Sequence, residues 1–271
     1  IAVSIGIGSG IGAIFGAPLG GAVLAADIVY RDDFEVGALV PGLISSIVGY
    51  TVWGLFEGFS PMFGYVIPGY TFDQPLQLLW FAMLGLIAGI VGLLYARCFH
   101  LVADSAKRLR VPDVVRPAIG GLLVGSIALA VPQVLGTGYG WVQKALAAET
   151  LLALPLWIVI ALPFAKILAT ALSIGSGGSG GIFGPGTVIG GFAGAAVWRL
   201  LQPLGDAWGI PAEPAPFVIV AMMACFGAIS RAPLAIMLMV AEMTGSMAIL
   251  APAMIAVGIA YLIVRRSDAT I

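Results

Sequence analysis

Thirty-two consecutive residues, 167 to 198, carry no Asp, Glu, Lys or Arg. Within them lies Gly175-Ser-Gly-Gly-Ser-Gly-Gly-Ile-Phe-Gly-Pro-Gly-Thr-Val-Ile-Gly-Gly191, where nine of seventeen residues are glycine. A spanning helix needs about 20 apolar residues, so a run this long with glycine at its centre does not fit one straight span. Lipid tolerates non-helical backbone only where protein or a water-filled cavity satisfies its polar groups. A break of this kind at membrane depth therefore implies a site or a pathway. Glycine lets the backbone approach a ligand, and Pro185 suits the first turn of a following helix, where its missing N–H costs nothing. The unpaired N–H groups of that turn, with the helix dipole behind them, form a site for an anion. An anion held there would be held by dipoles without a salt bridge, and so weakly enough to leave. The same glycines also suit close packing of membrane helices, and composition alone does not choose between these readings.

The remainder of the chain agrees with a membrane location. It is 61% hydrophobic and 9% charged, with a mean hydropathy of +1.10, whereas a soluble domain carries about a quarter charged residues. Charge-free runs cover 1 to 26, 36 to 56, 74 to 96, 117 to 143, 150 to 165, 167 to 198, 214 to 230 and 243 to 264. Several are too short, too long or too rich in Gly and Pro for one clean span each. The expected fold is an all-α, multi-pass integral membrane domain of tilted, broken and re-entrant helices. A net charge of −1 offers nothing to nucleic acid. Cys98 and Cys225 lie in apolar segments and read as packed thiols, and one histidine, His100, makes neither a metal site nor a catalytic triad. Opening at Ile1 inside a hydrophobic run, the sequence reads as part of a longer chain.

An internal repeat organises the ends. Ala17-Pro18-Leu19 is followed by Asp27, and Ala232-Pro233-Leu234 by Glu242, each acid nine residues beyond its proline. A polar break follows each, Arg31-Asp-Asp-Phe-Glu35 or Thr244-Gly-Ser246, and then a long apolar helix, 36 to 56 or 247 to 264. The segment before 36 reads as two short helices, the second from Ala17 to Tyr30. Transporters built from inverted repeats place their substrate at the repeat interface, on paired broken helices. Pro185 stands 48 residues before Pro233; a matching loop before Pro18 would fall upstream of residue 1.

Gly181-Ile-Phe-Gly-Pro185, with the Gly-Ser-Gly-Gly-Ser-Gly before it, resembles the GxFxP signature of the CLC chloride channels and transporters. The order of the other segments resembles the second two thirds of a CLC membrane domain, over essentially all 271 residues. The resemblance implies one partial transmembrane domain, with 1–57 the end of a first inverted repeat and 78–271 most of a second. It implies a dehydrated chloride held by backbone amides at Ile182 and Phe183, with Gly181, Gly184 and Pro185 shaping the turn, and no cofactor. The family's serine loop, its external gating glutamate and its inner tyrosine fall outside the sequence; Tyr261 is too early and reads as an interfacial or packing residue. Homodimers with one pore per subunit are implied, in contact through helices within 17–57 and 232–264. In proton-coupled members an internal glutamate follows the APL-like turn; here that position is Ile28, with Asp27 before it. Isoleucine carries no proton, which favours a passive channel over a proton-coupled chloride or fluoride antiporter, unless water or Asp27 substitutes.

Three further features are read from the residues with the resemblance beside them. Lys166 lies in an apolar helix just before the glycine loop: it biases the anion path, snorkels, or pairs with an acid. Glu242 reads as a structural cap or interhelical partner. Gly136-Thr-Gly-Tyr-Gly-Trp141 reads as close packing at a helix end. Five of the twelve basic residues fall between Arg97 and Arg116, so this connection and Arg265-Arg266 are expected in the cytoplasm, and the turns at 57–73 and 201–213 outside. The expected location is the plasma (inner) membrane of a prokaryote. A membrane-embedded enzyme that cradles an oxyanion lacks the residues for it: no Ser/His/Asp constellation, no metal-ligand spacing and no P-loop lysine.

Overall fold

The computed structural model describes residues 2–27, 35–64, 72 and 74–267. Among them regular structure is helical throughout, without a strand. Val36–Glu57 (α3), Gln77–Arg108 (α4), Leu156–Gly175 (α8) and Met247–Arg265, the last made of a 3₁₀ turn and helix Leu250–Arg265 (α12), are long and apolar enough to cross a membrane. Ala2–Ile14 (α1), Pro18–Asp27 (α2), Arg116–Ala130 (α5), Ala215–Ile229 (α10) and Pro233–Thr244 (α11) are shorter apolar helices. Tyr139–Ala145 (α6), Ala148–Leu152 (α7) and Phe183–Leu201 (α9) complete the set. The charge-free run 167–198 is thus divided between α8 and α9, as the glycine-rich break requires.

The core forms around α10, whose fifteen residues are all buried. A helix that is apolar on every side has no face for water and packs inside. It contacts α9, α12, α4 and α11. Glycine permits the close approach: a Cβ at Gly190 would lie 2.5 Å from the Ala221 carbonyl oxygen, and one at Gly194 would run into the Phe217 carbonyl. At its far end α9 places Arg199, which donates to the carbonyls of Leu151, Leu152 and Leu154 and so closes the C-terminal end of α7.

The repeat is present as packed helices. Both α2 and α11 begin at their proline, at the helix position where a missing N–H is harmless. The two pack on each other. Glu242 spans them, accepting from the amides of Leu19 at 3.1 Å and Gly20 at 2.8 Å, so it caps the start of α2 from the far repeat. Tyr30 and the turn 31–34 lie outside the described residues.

Two boundaries differ from expectation. The basic segment 97–116 is a connection only from Leu109 onward, because α4 runs on as helix to Arg108. Charge marks where a helix leaves the bilayer, and Arg, Lys and Ala all sustain a helix beyond that level. The last long helix begins with a 3₁₀ turn at Met247–Ile249, and α12 proper starts at Leu250.

Candidate functional site

The glycine loop hangs between two fixed ends. α8 stops at Gly175, and Gly177 turns the chain with φ +102, its N–H donating to the Ile174 carbonyl at 3.0 Å. At Gly178 a Cβ would strike the Ser173 carbonyl, so only glycine lets the chain leave the helix so closely. α9 then begins at Phe183, with Pro185 in its first turn. Among the described residues no side chain caps this start, and no loop hydrogen bond takes the amides of Ile182, Phe183 or Gly184. These donors, with the dipole of a 19-residue helix behind them, are what an anion would find.

Neighbouring side chains fix the turn without using those amides. The Tyr95 hydroxyl donates to the Ile182 carbonyl at 3.4 Å, and Thr187 Oγ1 donates to the Gly184 carbonyl at 2.8 Å. The Phe183 ring is turned inward, 4.4 Å from the Phe15 ring centroid and 5.1 Å from that of Phe226. Phe183 therefore offers a ligand its backbone and not its side chain. A Cβ added at Gly184 would meet the Tyr139 hydroxyl at 2.8 Å, so this phenol stands directly beside the helix start. The Gly136–Trp141 element does pack closely, its Gly138 lying against Val188 of α9, but it also delivers Tyr139 to the loop. Tyr139 and Tyr95 are the site residues that the sequence did not reveal. Tyr95 sits in an apolar helical pattern, where a hydroxyl leaves no periodic signal, and Tyr139 stands between two glycines of an element that reads as packing.

Lys166 is 2% exposed, and its ammonium donates to the carbonyls of Val134 at 2.8 Å and Gly136 at 2.6 Å. One of the three alternatives for it is overturned, and a second finds no partner. It does not snorkel, because its head group is held inside by those carbonyls, and no acid pairs with it among the described residues. It lines a cavity of about 390 Å³ together with Thr137, Thr170, Ser173, Ser179, Gly181 and Pro185. Two of the five predicted anion-site residues thus share a space with a buried, unneutralised cation. Ile182, Phe183 and Gly184 lie at the adjoining helix start and do not line it.

Asp27 is not part of this constellation. It stands half-buried at the end of α2, which packs on α1, α3 and α11, and no described group donates to it. Ile28 lies outside the described residues. Both cysteines are free thiols, Cys225 buried and Cys98 half-buried.

The family profile described as voltage gated chloride channel matches residues 1–265. The chain belongs to the CLC family. It is 33% identical over 259 residues to a ClcB-like chloride channel protein of Ralstonia nicotianae, covering 94% of this chain and 57% of that protein. It is 29% identical to the chloride channel protein CLC-f of Arabidopsis thaliana, covering 94% of this chain and 34% of that one. The chain spans between about a third and three-fifths of the length of the curated relatives it matches. Among solved structures, it superposes on a CLC-type fluoride/proton antiporter with a TM-score of 0.76 at 22% identity, covering 97% of this chain and 62% of that one. A slow cyanobacterial Cl⁻/H⁺ antiporter gives 0.77 at 23%, covering 98% and 61%. At this identity the superpositions speak for the fold: an all-α membrane domain of the CLC type.

Proposed function

We propose that the protein moves chloride, or a similarly small inorganic anion, across a membrane past the start of α9. The observation that carries this reading is the pairing of an uncapped helix start with a buried ammonium that no carboxylate among the described residues neutralises. Backbone amides at Ile182 and Phe183 bind the dehydrated ion, and Gly181, Gly184 and Pro185 hold the turn open. Lys166 contributes attraction at a distance, and its carbonyl partners fix its position. A buried cation without an acid is costly, and an arriving anion relieves that cost. Phe183→Pro deletes one amide and distorts the turn, so chloride binding measured by calorimetry on the full-length protein is expected to vanish. Unchanged binding would remove the amides from the site. Lys166→Met is expected to weaken binding about tenfold or more, since a full charge near a partly buried ion supplies roughly 1–4 kcal/mol.

Transport is read as passive, since the internal proton position is Ile28. The competing reading, proton-coupled chloride or fluoride antiport, draws on Asp27 and on the activity named for the two superposed structures. Chloride efflux from liposomes with internal pH recorded at the same time separates them: passive conduction gives efflux with no uphill pH change.

A homodimer is the expected assembly. Within 17–57 and 232–264, α2 and α11 are largely buried inside the chain. Val40, Ile44, Ile47 and Val48 of α3 and Leu234 of α11 are among the exposed apolar residues that a partner would cover. The membrane is read as the plasma membrane of a prokaryote, with 97–116 and Arg265–Arg266 on the cytoplasmic side.

A further inference from the structure

Where α4 becomes basic, two clefts meet. One, about 290 Å³, is walled by Leu101, Val102, Leu123 and Leu172; the other, about 300 Å³, by Phe99, Lys107, Ile174 and Gly177. Arg116 and Ser176 line both. At this junction Arg116 Nη1 pairs with Asp113 at 2.8 Å and Nη2 donates to the Leu109 carbonyl at 3.3 Å, while Nε is buried with no partner among the described residues. Each η nitrogen thus keeps a second N–H to donate, and a guanidinium fork suits a phosphate better than any other side chain does. Asp113 is 88% exposed, so this pair is screened by solvent and weak enough for a second anion to compete.

Depth selects the ligand. α4 has 32 residues and so runs about 48 Å, against a hydrocarbon core of about 30 Å. Its last turns therefore stand at headgroup level. Between 97 and 116 the chain has five basic residues and two acidic ones, a local excess that attracts anionic lipid. We propose that the double cleft holds one anionic phospholipid. Its phosphodiester takes the remaining η N–H groups of Arg116 within reach of Lys107, and one acyl chain lies in the cleft of Leu101, Leu123 and Leu172. A free phosphate satisfies the guanidinium equally well but leaves the apolar cleft uncovered.

Native mass spectrometry of the full chain, from nanodiscs of phosphatidylcholine mixed with phosphatidylglycerol, tests this without any ion flux. The expected result is one retained phosphatidylglycerol per subunit, preferred over phosphatidylcholine about fivefold or more, the value of one basic contact at a membrane surface. Arg116→Gln is expected to abolish that preference. Leu123→Trp, which keeps every charge and fills the apolar cleft, is expected to abolish it as well. Inorganic phosphate should not displace the lipid. If Arg116→Gln fails to fold by thermal melting, Lys107→Gln on the exposed side reports instead, with a smaller loss. Preference surviving either basic substitution overturns the proposal. Displacement by inorganic phosphate, with Leu123→Trp neutral, also overturns it and leaves a site for free phosphate.

Discussion

The pairs α1–α2 and α10–α11 repeat one design in two environments. Each is a helix, a tight turn and a second helix started by proline, with an acid nine residues further on. In α10 every residue is buried, whereas in α1 only Ser4, Gly8 and Gly12 are. The interior copy therefore packs with bulky Phe, Met and Ile, and the outer copy with small residues, a Cβ at Gly8 coming within 2.6 Å of that of Ala25. The turns differ too. Gly16 and Arg231, each two residues before its proline, both take left-handed φ, +62 and +57, and Arg231 is the one non-glycine to do so among the described residues. Glu242 caps the start of α2, while Asp27, its counterpart, caps nothing that is described. A backbone plan can thus be kept while each copy solves packing, strain and capping separately.

The strongest way to break the comparison is at the helix crossing. A Cβ at Gly20 would lie 2.6 Å from both Cα and N of Met239, and neither backbone can yield without separating α2 from α11. Gly20→Ala is expected to cost about 3 kcal/mol, the upper range for overpacking. The counterpart two residues beyond the other proline is Ala235, already a buried alanine, and Ala235→Gly should cost only about 1 kcal/mol. Denaturation in mixed micelles followed by circular dichroism measures both; equal costs would mean that the crossing is not what distinguishes the copies. Next comes the cap. Glu242→Ala removes two charge-assisted hydrogen bonds and is expected to cost about 2 kcal/mol, with Glu242→Gln between it and the parent. A loss below about 0.5 kcal/mol would show that water replaces the carboxylate, which a surface substitution also tolerates.

These contrasts show what could be read from sequence. Pro18, Pro233 and the glycine-rich break at 175–182 were legible because each acts locally: a ring fixes φ, and missing side chains free it. Glu242 was half legible. An acid in an apolar helix must find a partner, but the amides of Leu19 and Gly20 lie more than 220 residues away in sequence. Lys166 was harder, since snorkelling, ion pairing and an electrostatic role all leave the same residue in the same helix. Its partners are carbonyls of an irregular turn, and a carbonyl has no sequence signature. Tyr95 is hidden among apolar neighbours, and Tyr139 inside a glycine-rich element whose packing role is the simpler reading. The end of α4 at Arg108 is not legible in the charge pattern, because charge marks the membrane surface and not the end of a helix.

Two smaller substitutions sharpen the comparison. Arg231→Gly gives the second turn the residue of the first. A left-handed L-residue costs roughly 1–2 kcal/mol and glycine's extra freedom returns about half of that, so the variant is expected to be about 0.5–1 kcal/mol more stable. A destabilised variant would mean that the Arg231 side chain holds the turn.

The smallest expected effect concerns the missing half of the capping exchange. α11 has no side-chain cap at its start, and in an inverted repeat the end of α2 lies towards the start of α11 as the end of α11 lies towards that of α2. Asp27 is one methylene shorter than Glu242. Asp27→Glu would extend the carboxylate towards the Leu234 and Ala235 amides, the counterparts of Leu19 and Gly20. Because ordering a longer side chain offsets part of the gain, the net stabilisation is expected to be about 0.5 kcal/mol. The control is Asp27→Asn, which keeps the length and removes the charge and should be neutral. If Asp27→Glu gains nothing while Glu242→Ala loses its full cap, the asymmetry lies in the backbone approach of the two helices. If Asp27→Glu gains and Ala235→Pro, which deletes one of the two amides, erases the gain, then the exchange was one methylene short of being reciprocal.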